Sequence, residues 1–126
     1  MAKPVLALVT LQRSCARLIR KGADLAMKQQ SSLYVLHVIA QDAMGDQEKY
    51  AKTLDYLYAL AGEVGAEMCM RIAEVPLTAI ANYAQEIGAG QVVMGGGEKA
   101  SGIAETLSGL LPGVQILIVD AEGAPV

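Results

Sequence analysis

Three consecutive glycines, Gly95, Gly96 and Gly97, with Lys99 and Ser101 just beyond them, are the part of this chain best suited to hold a charged ligand. Glycine lets another group approach the backbone, lysine brings a point charge, and serine brings a hydroxyl. An apolar run, Gln91 to Met94, leads into the glycines, and an amphipathic segment, Ile103 to Leu111, follows them. Strand, glycine loop and helix, in that order, aim backbone N–H groups and a helix N-terminus at an anion, usually a phosphate. A second reading needs no ligand. The glycines then serve a tight strand-to-helix turn, and Ser101 caps the helix. No GK[ST] follows the glycines, so this is not a Walker phosphate loop.

Arg13, Arg17, Arg20 and Lys21 recur at helical spacing after the first apolar run. Most of this face is expected to meet solvent, but Arg13 lies in the first turn, near the mouth of the same cleft, where it can clamp an anion. His37 is the one histidine. With no serine or cysteine on a recognisable nucleophile elbow there is no triad, and His37 reads as a satisfied strand residue. Cys15 and Cys69 form no CxxC pair and read as reduced, buried small hydrophobes. Neither a receiver domain nor a flavodoxin fits. The first lacks its acidic pair at Thr10-Leu11, and the second lacks a hydroxyl-rich phosphate loop there. A dinucleotide fold is excluded too, because Leu11-Gln12-Arg13 is no glycine turn.

The elements that must position these residues alternate without a break. Pro4 to Thr10 is a continuous apolar run, as expected of a strand covered on both faces. Ser14, a candidate N-cap, opens a helix to Lys28 with Cys15, Leu18, Ile19, Gly22, Leu25 and Ala26 on one face. Leu33 to Ile39 is the second strand. After a polar loop, Gln41 to Gly45, a helix capped by Asp46 carries Tyr50, Leu54, Leu57, Ala61 and Val64, and Gly65 stops it. Glu67 to Ile72 is a third strand. Pro76 starts a helix with Leu77, Ile80, Ala81, Ala84 and Ile87 in line, stopped by Gly88. Gln91 to Met94 is the fourth strand. Ile103, Leu107, Leu110 and Leu111 face inward on the last helix, and Pro112-Gly113 turns into a fifth strand, Gln115 to Val119. The whole chain, residues 1–126, reads as one α/β domain with a frayed tail from Asp120 to Val126.

Composition narrows the classes of partner. A net charge of −3 argues against general nucleic-acid binding, and the absence of Trp and Phe removes the usual base-stacking platforms. No apolar run approaches the roughly 20 residues of a membrane helix, and the N-terminus does not read as a secretory signal. The expectation is a cytoplasmic protein without membrane or nucleic-acid partners.

One group of residues matches a known pattern. Val5 to Thr10 falls on its first strand, Cys15, Leu18 and Gly22 on a small-residue ladder, and Leu25-Ala26 and Leu36-His37-Val38 on two short motifs. Pro76, Ile80, Tyr83-Ala84, Gly88-Ala89 and Val92-Val93-Met94-Gly95 continue it. Along nearly the whole chain this resembles the universal stress protein family. The resemblance implies an adenine-nucleotide alpha-hydrolase-like, three-layer fold. Its five-stranded parallel sheet has the order 3-2-1-4-5, with helices on both faces. No general base, metal-binding carboxylate pair or arginine finger stands out, so a non-catalytic protein that requires no cofactor is expected, with a weak ATPase as the enzymatic alternative. A small anionic ligand, ATP, AMP or another anion, would lie between the first and fourth strands. Its contacts would be Thr10, Arg13, the Val38 backbone, Gly95, Gly96, Gly97, Lys99 and Ser101. A homodimer would form along Gln115 to Val119, an edge that proteins cover or pair.

The chain departs from the nucleotide-binding pattern in two places. Thr10 stands where those relatives have an aspartate, and the G-x2-G-x9-G-[ST] loop is shortened, with Glu98 or Lys99 in the second glycine's register and Ser101-Gly102 in reversed order. Weak nucleotide binding is therefore expected, or an interaction module with a vestigial cleft. The ending Leu111 to Val119 resembles the stress-protein-like domain of potassium-sensing histidine kinases.

Overall fold

A computed structural model describes residues 3–9, 15–40, 47–97 and 99–119; the side chains of Ala40 and of residues 47–50 are outside the description. Nine elements alternate along it: β1 (Val5–Leu8), α1 (Ala16–Gln29), β2 (Leu33–Ala40), α2 (Gln47–Glu63), β3 (Glu67–Ala73), α3 (Pro76–Ile87), β4 (Gln91–Gly95), α4 (Ala100–Leu110) and β5 (Gln115–Val119). The strands form one sheet in the order β3-β2-β1-β4-β5. Every pairing is parallel, with Ala7 opposite Val35 on one side and Val93 on the other.

The apolar run of β1 is explained by its place at the centre. Val5, Leu6 and Ala7 are fully buried, and their side chains alternate between two cores. Val5 and Ala7 join Val35, Val93, Leu18, Ile19, Leu57 and Ala61 under α1 and α2. Leu6 joins Leu36, Val92, Ala81 and Ala84 under α3, and Met94 and Leu107 extend this layer beneath α4. Both faces of the sheet are thus covered, as a parallel sheet requires.

Gly22 permits the close approach of α1. A Cβ there would stand 2.8 Å from Leu33 Cδ1. The stop at Gly88 is also local chemistry: at φ 69° its N–H bonds back to Gln85 O, and Ala89 N–H bonds to Ala84 O. That is the Schellman arrangement, which favours a residue without Cβ at the left-handed position.

Several boundaries differ from expectation. β1 ends as a ladder strand at Leu8, although Val9 still donates to Leu36 O; Thr10 lies outside the described residues. The N-cap position of α1 is Cys15, in helical backbone and without a side-chain cap, while Ser14 lies outside the description. α4 starts three residues earlier than expected, at Ala100, because Ala100 N–H already bonds to Gly97 O. Ser101 is therefore inside the helix and does not cap it; Lys99 holds the cap position with no side-chain bond. Leu110 is 44% exposed rather than inward, and Leu111 alone is buried at that turn. Cys69 is half-buried, not buried, because β3 is an edge strand. The 41–46 loop with Asp46, the side chain of Tyr50 and the tail from 120 are outside the described residues.

Candidate functional site at the carboxyl end of the sheet

In the order β3-β2-β1-β4-β5 the chain leaves β1 toward one edge and returns to continue toward the other. The crevice between the carboxyl ends of β1 and β4 is the switch point, where open α/β sheets receive ligands. The structure brings Gly95, Gly96, Gly97, Lys99 and Ser101 to it from β4, the following loop and the first turn of α4. Val38 lies toward the same end of β2, in register with Arg71 of β3, with its side chain turned into the α3 layer. Two strand spacings, about 10 Å, separate β2 from β4. A ligand touching both must therefore lie across the end of β1. Thr10 and Arg13 fall outside the described residues.

The glycines are not all equivalent. Neither Gly95 nor Gly97 has the left-handed backbone that demands glycine, and a Cβ on Gly97 would meet nothing within 4 Å. On Gly95 it would only touch Leu18 Cδ1 at 3.6 Å, an ordinary contact. The fold itself therefore gives no steric reason for glycine at these two positions. Gly96 differs: its N–H is donated to Val119 O at 2.8 Å, so that amide is committed to β5 and is lost to a ligand.

Helix termini supply the field. α4 begins at the glycine loop and α1 begins beyond the end of β1, and neither has a side-chain cap or an acidic residue in its first turn. Their leading N–H groups have no intrahelical acceptor, and each helix end carries roughly half a positive charge. Lys99 and Arg17, both exposed, add full charges of the same sign. Among the described residues, these contributions at this end of the sheet are of one sign and favour negative charge.

His37 is a contact that sequence reading missed. Only 7% exposed, it lies 2.9 Å through Nδ1 from Val9 O, and its Nε2 is buried with no partner among the described residues. Donation to a carbonyl places a proton on Nδ1. The side chain thus ties the end of β1 to β2, directly before the segment that contains Thr10 and Arg13. The missing signal was register: Val9 beyond Leu8 faces the same layer as His37, and only strand pairing shows it.

Among the described residues no three His, Cys, Asp or Glu side chains gather as metal ligands, and no helix is long and apolar enough to cross a membrane. A groove of about 680 Å³ lies elsewhere among the described residues. It lies at the amino end of the sheet between the ends of α1 and α2, lined by Arg20, Asp24, Met27, Ser31 and Glu63 among others. Those helix ends are the negative poles, so the charge logic there is the reverse of the switch point's.

No family model and no curated protein matches the chain. Solved structures do. A universal stress protein from Archaeoglobus fulgidus superposes with a TM-score of 0.70 at 19% identity, covering 94% of this chain and 93% of that one. The same protein type in complex with dAMP, from A. fulgidus, gives 0.67 at 18% identity over 94% and 97% of the two chains. A universal stress protein in complex with cAMP gives 0.67 at 15% identity over 93% and 96%. The chain therefore has the fold of universal stress proteins.

Proposed function

We propose that this protein is a non-catalytic, universal-stress-type binding protein. Its ligand is a small anion of the adenine-nucleotide class, held between the carboxyl ends of β1 and β4. One observation carries this reading: Gly95 and Gly97 are glycines that the fold does not need, standing beside an uncapped helix N-terminus. A ligand that approaches the backbone closely gives them a reason. The dAMP and cAMP complexes of similarly folded proteins support the ligand class. In this reading Lys99 and Ser101 meet the phosphate, the Val38 backbone faces the base, and Thr10 and Arg13 complete the site. In this reading the protein acts in the cytoplasm, and the ending Leu111 to Val119, which resembles the domain of potassium-sensing histidine kinases, marks that domain as close kin. β5, paired only with β4 among the described residues, is the edge along which two copies join.

A second reading is favoured by Gly96, whose amide is already spent on Val119. With fewer free donors the cleft is vestigial, and the protein acts through its surfaces. Equilibrium dialysis against labelled ATP, AMP, dAMP and cAMP separates the two. Thr10 in place of a carboxylate removes a charged hydrogen bond worth about 1.5–3 kcal/mol. The ligand-binding reading therefore expects dissociation constants from roughly tens of micromolar to sub-millimolar, and loss of binding in Gly97→Val. No saturable binding of any of the four at millimolar concentration leaves the interaction module as the reading.

A further inference from the structure

The outer edge of β3 is self-complementary in one register. Among the described residues β3 pairs only with β2, and its other edge carries no strand. Glu67, Cys69 and Arg71 alternate onto the α3 face, where Cys69 packs in the core layer and the Arg71 guanidinium lies 4.9 Å over the Tyr83 ring. Met68, Met70 and Ile72 take the other face, and the latter two are 38% and 54% exposed. Glu67 is exposed and makes no ion pair among the described residues, whereas Arg71 is bridged to Glu86 at 3.0 Å. Arg71 also interacts with the Cys69 side chain, and of its five N–H groups those not taken by Glu86 and Cys69 are left for a further acceptor.

We propose that β3 joins the β3 of a second copy of this chain, antiparallel, about a twofold axis at Cys69. The pairing sets Glu67 against the partner's Arg71, Met68 against the partner's Met70 and Cys69 against the partner's Cys69. A ten-stranded sheet results, and the exposed edge amides of both copies find acceptors. Charge selects the register. Centring on Glu67 or on Arg71 sets like charges face to face, and centring on Met68 or Met70 leaves both charges without an opposite partner. Cross-strand pairs of opposite charge favour a register, and like pairs oppose it.

Geometry supplies the test. Directly opposed residues of antiparallel strands have Cα atoms about 4.5 or 5.5 Å apart, and a disulfide accepts roughly 4.4–6.8 Å. Diamide added to the reduced protein should therefore link two chains through Cys69. Each thiol gives up one hydrogen, the S–S bond forms, and diamide becomes the hydrazine. Non-reducing electrophoresis should show this dimer in the unmodified protein and not in Cys69→Ser. Glu67→Lys and Arg71→Glu should each lower the yield at least about tenfold. An equimolar mixture of those two variants, one carrying a mass tag, should restore it as the heterodimer, since every facing pair is then opposite in sign. Restoration also shows that both variants fold. The proposal is overturned if the unmodified protein forms no Cys69 link while its thiol reacts with Ellman's reagent. A yield indifferent to both charge changes, or one that the mixture does not restore, overturns it equally. A dimer formed along β5 alone holds the two Cys69 residues at opposite ends of the assembly and gives no link.

Discussion

His37 shows how a single side chain connects fold and site. Its Nδ1 contact with Val9 O fixes the point where the chain leaves β1, and removing it costs both a buried hydrogen bond and packed volume. His37→Ala should destabilise by about 2–4 kcal/mol. His37→Asn keeps an N–H at a comparable reach, so it should recover part of that loss in urea denaturation. Gly97 behaves oppositely. Open space around its Cβ position means that Gly97→Val should change stability by no more than about 1 kcal/mol. Ligand binding and stability therefore separate at this residue, and thermal melts beside dialysis will show it. Tyr83 carries a pH signature. Burial, then the negative charges that Cys69 and Glu67 acquire, push its phenol up to about 12, against a smaller lowering by Arg71. The unfolded chain ionises near 10, so unfolding between those values releases a proton. Its contribution is whole below about pH 10 and is lost as pH rises toward 12. Tyr83→Phe should flatten the fall in stability across that window.

At the level of elements, three helix ends share one motif and two residue types. After α2 and α3, Gly65 at φ 73° and Gly88 at φ 69° take the left-handed position. After α1 the same position is Gln30 at φ 57°, with Gln30 N–H on Met27 O and Ser31 N–H on Ala26 O. Gln30 thus bears a backbone strain that glycine avoids. Gln30→Gly should raise stability by about 0.5–1 kcal/mol. Gly88→Ala should lower it by about 1 kcal/mol, from φ alone, because its Cβ position is open. Differential scanning calorimetry of the two variants compares one motif at two sites. These stops were legible at Gly65 and Gly88 because glycine announces the left-handed turn. Gln30 gave no such signal.

The whole molecule presents two strand edges, β3 and β5, at opposite ends of one sheet. Ile116, Leu117 and Ile118 on β5 stay half-buried in the single chain. If both edges pair with themselves, copies join alternately and growth need not close. Light scattering of the reduced protein should then give a mass above a dimer that rises with concentration. Glu67→Lys should hold it at the dimer made by β5. A constant monomer mass to high micromolar concentration counts against pairing at either edge.

The sequence by itself determined the succession of elements. Runs such as Val5 to Leu8 and Gln115 to Val119 are apolar without alternation, which only a strand covered on both faces requires, and the stripes between them repeat at helical period. Local chemistry also set Pro76 at a helix start and Gly88 at a helix end. The glycine loop was legible as a candidate anion site for the same reason: its residues are contiguous. Tertiary structure alone decided what depends on pairing between distant segments. Gly96 loses its amide because β5 passes beside it, His37 finds Val9 because β1 and β2 lie in register, and α4 starts at Ala100 because Gly97 turns its carbonyl inward. Cys69 is half-buried because nothing described covers the outer edge of β3. Each of these is fixed by a partner far away in the chain, and residue types along a single line carry no record of which distant backbone will stand opposite.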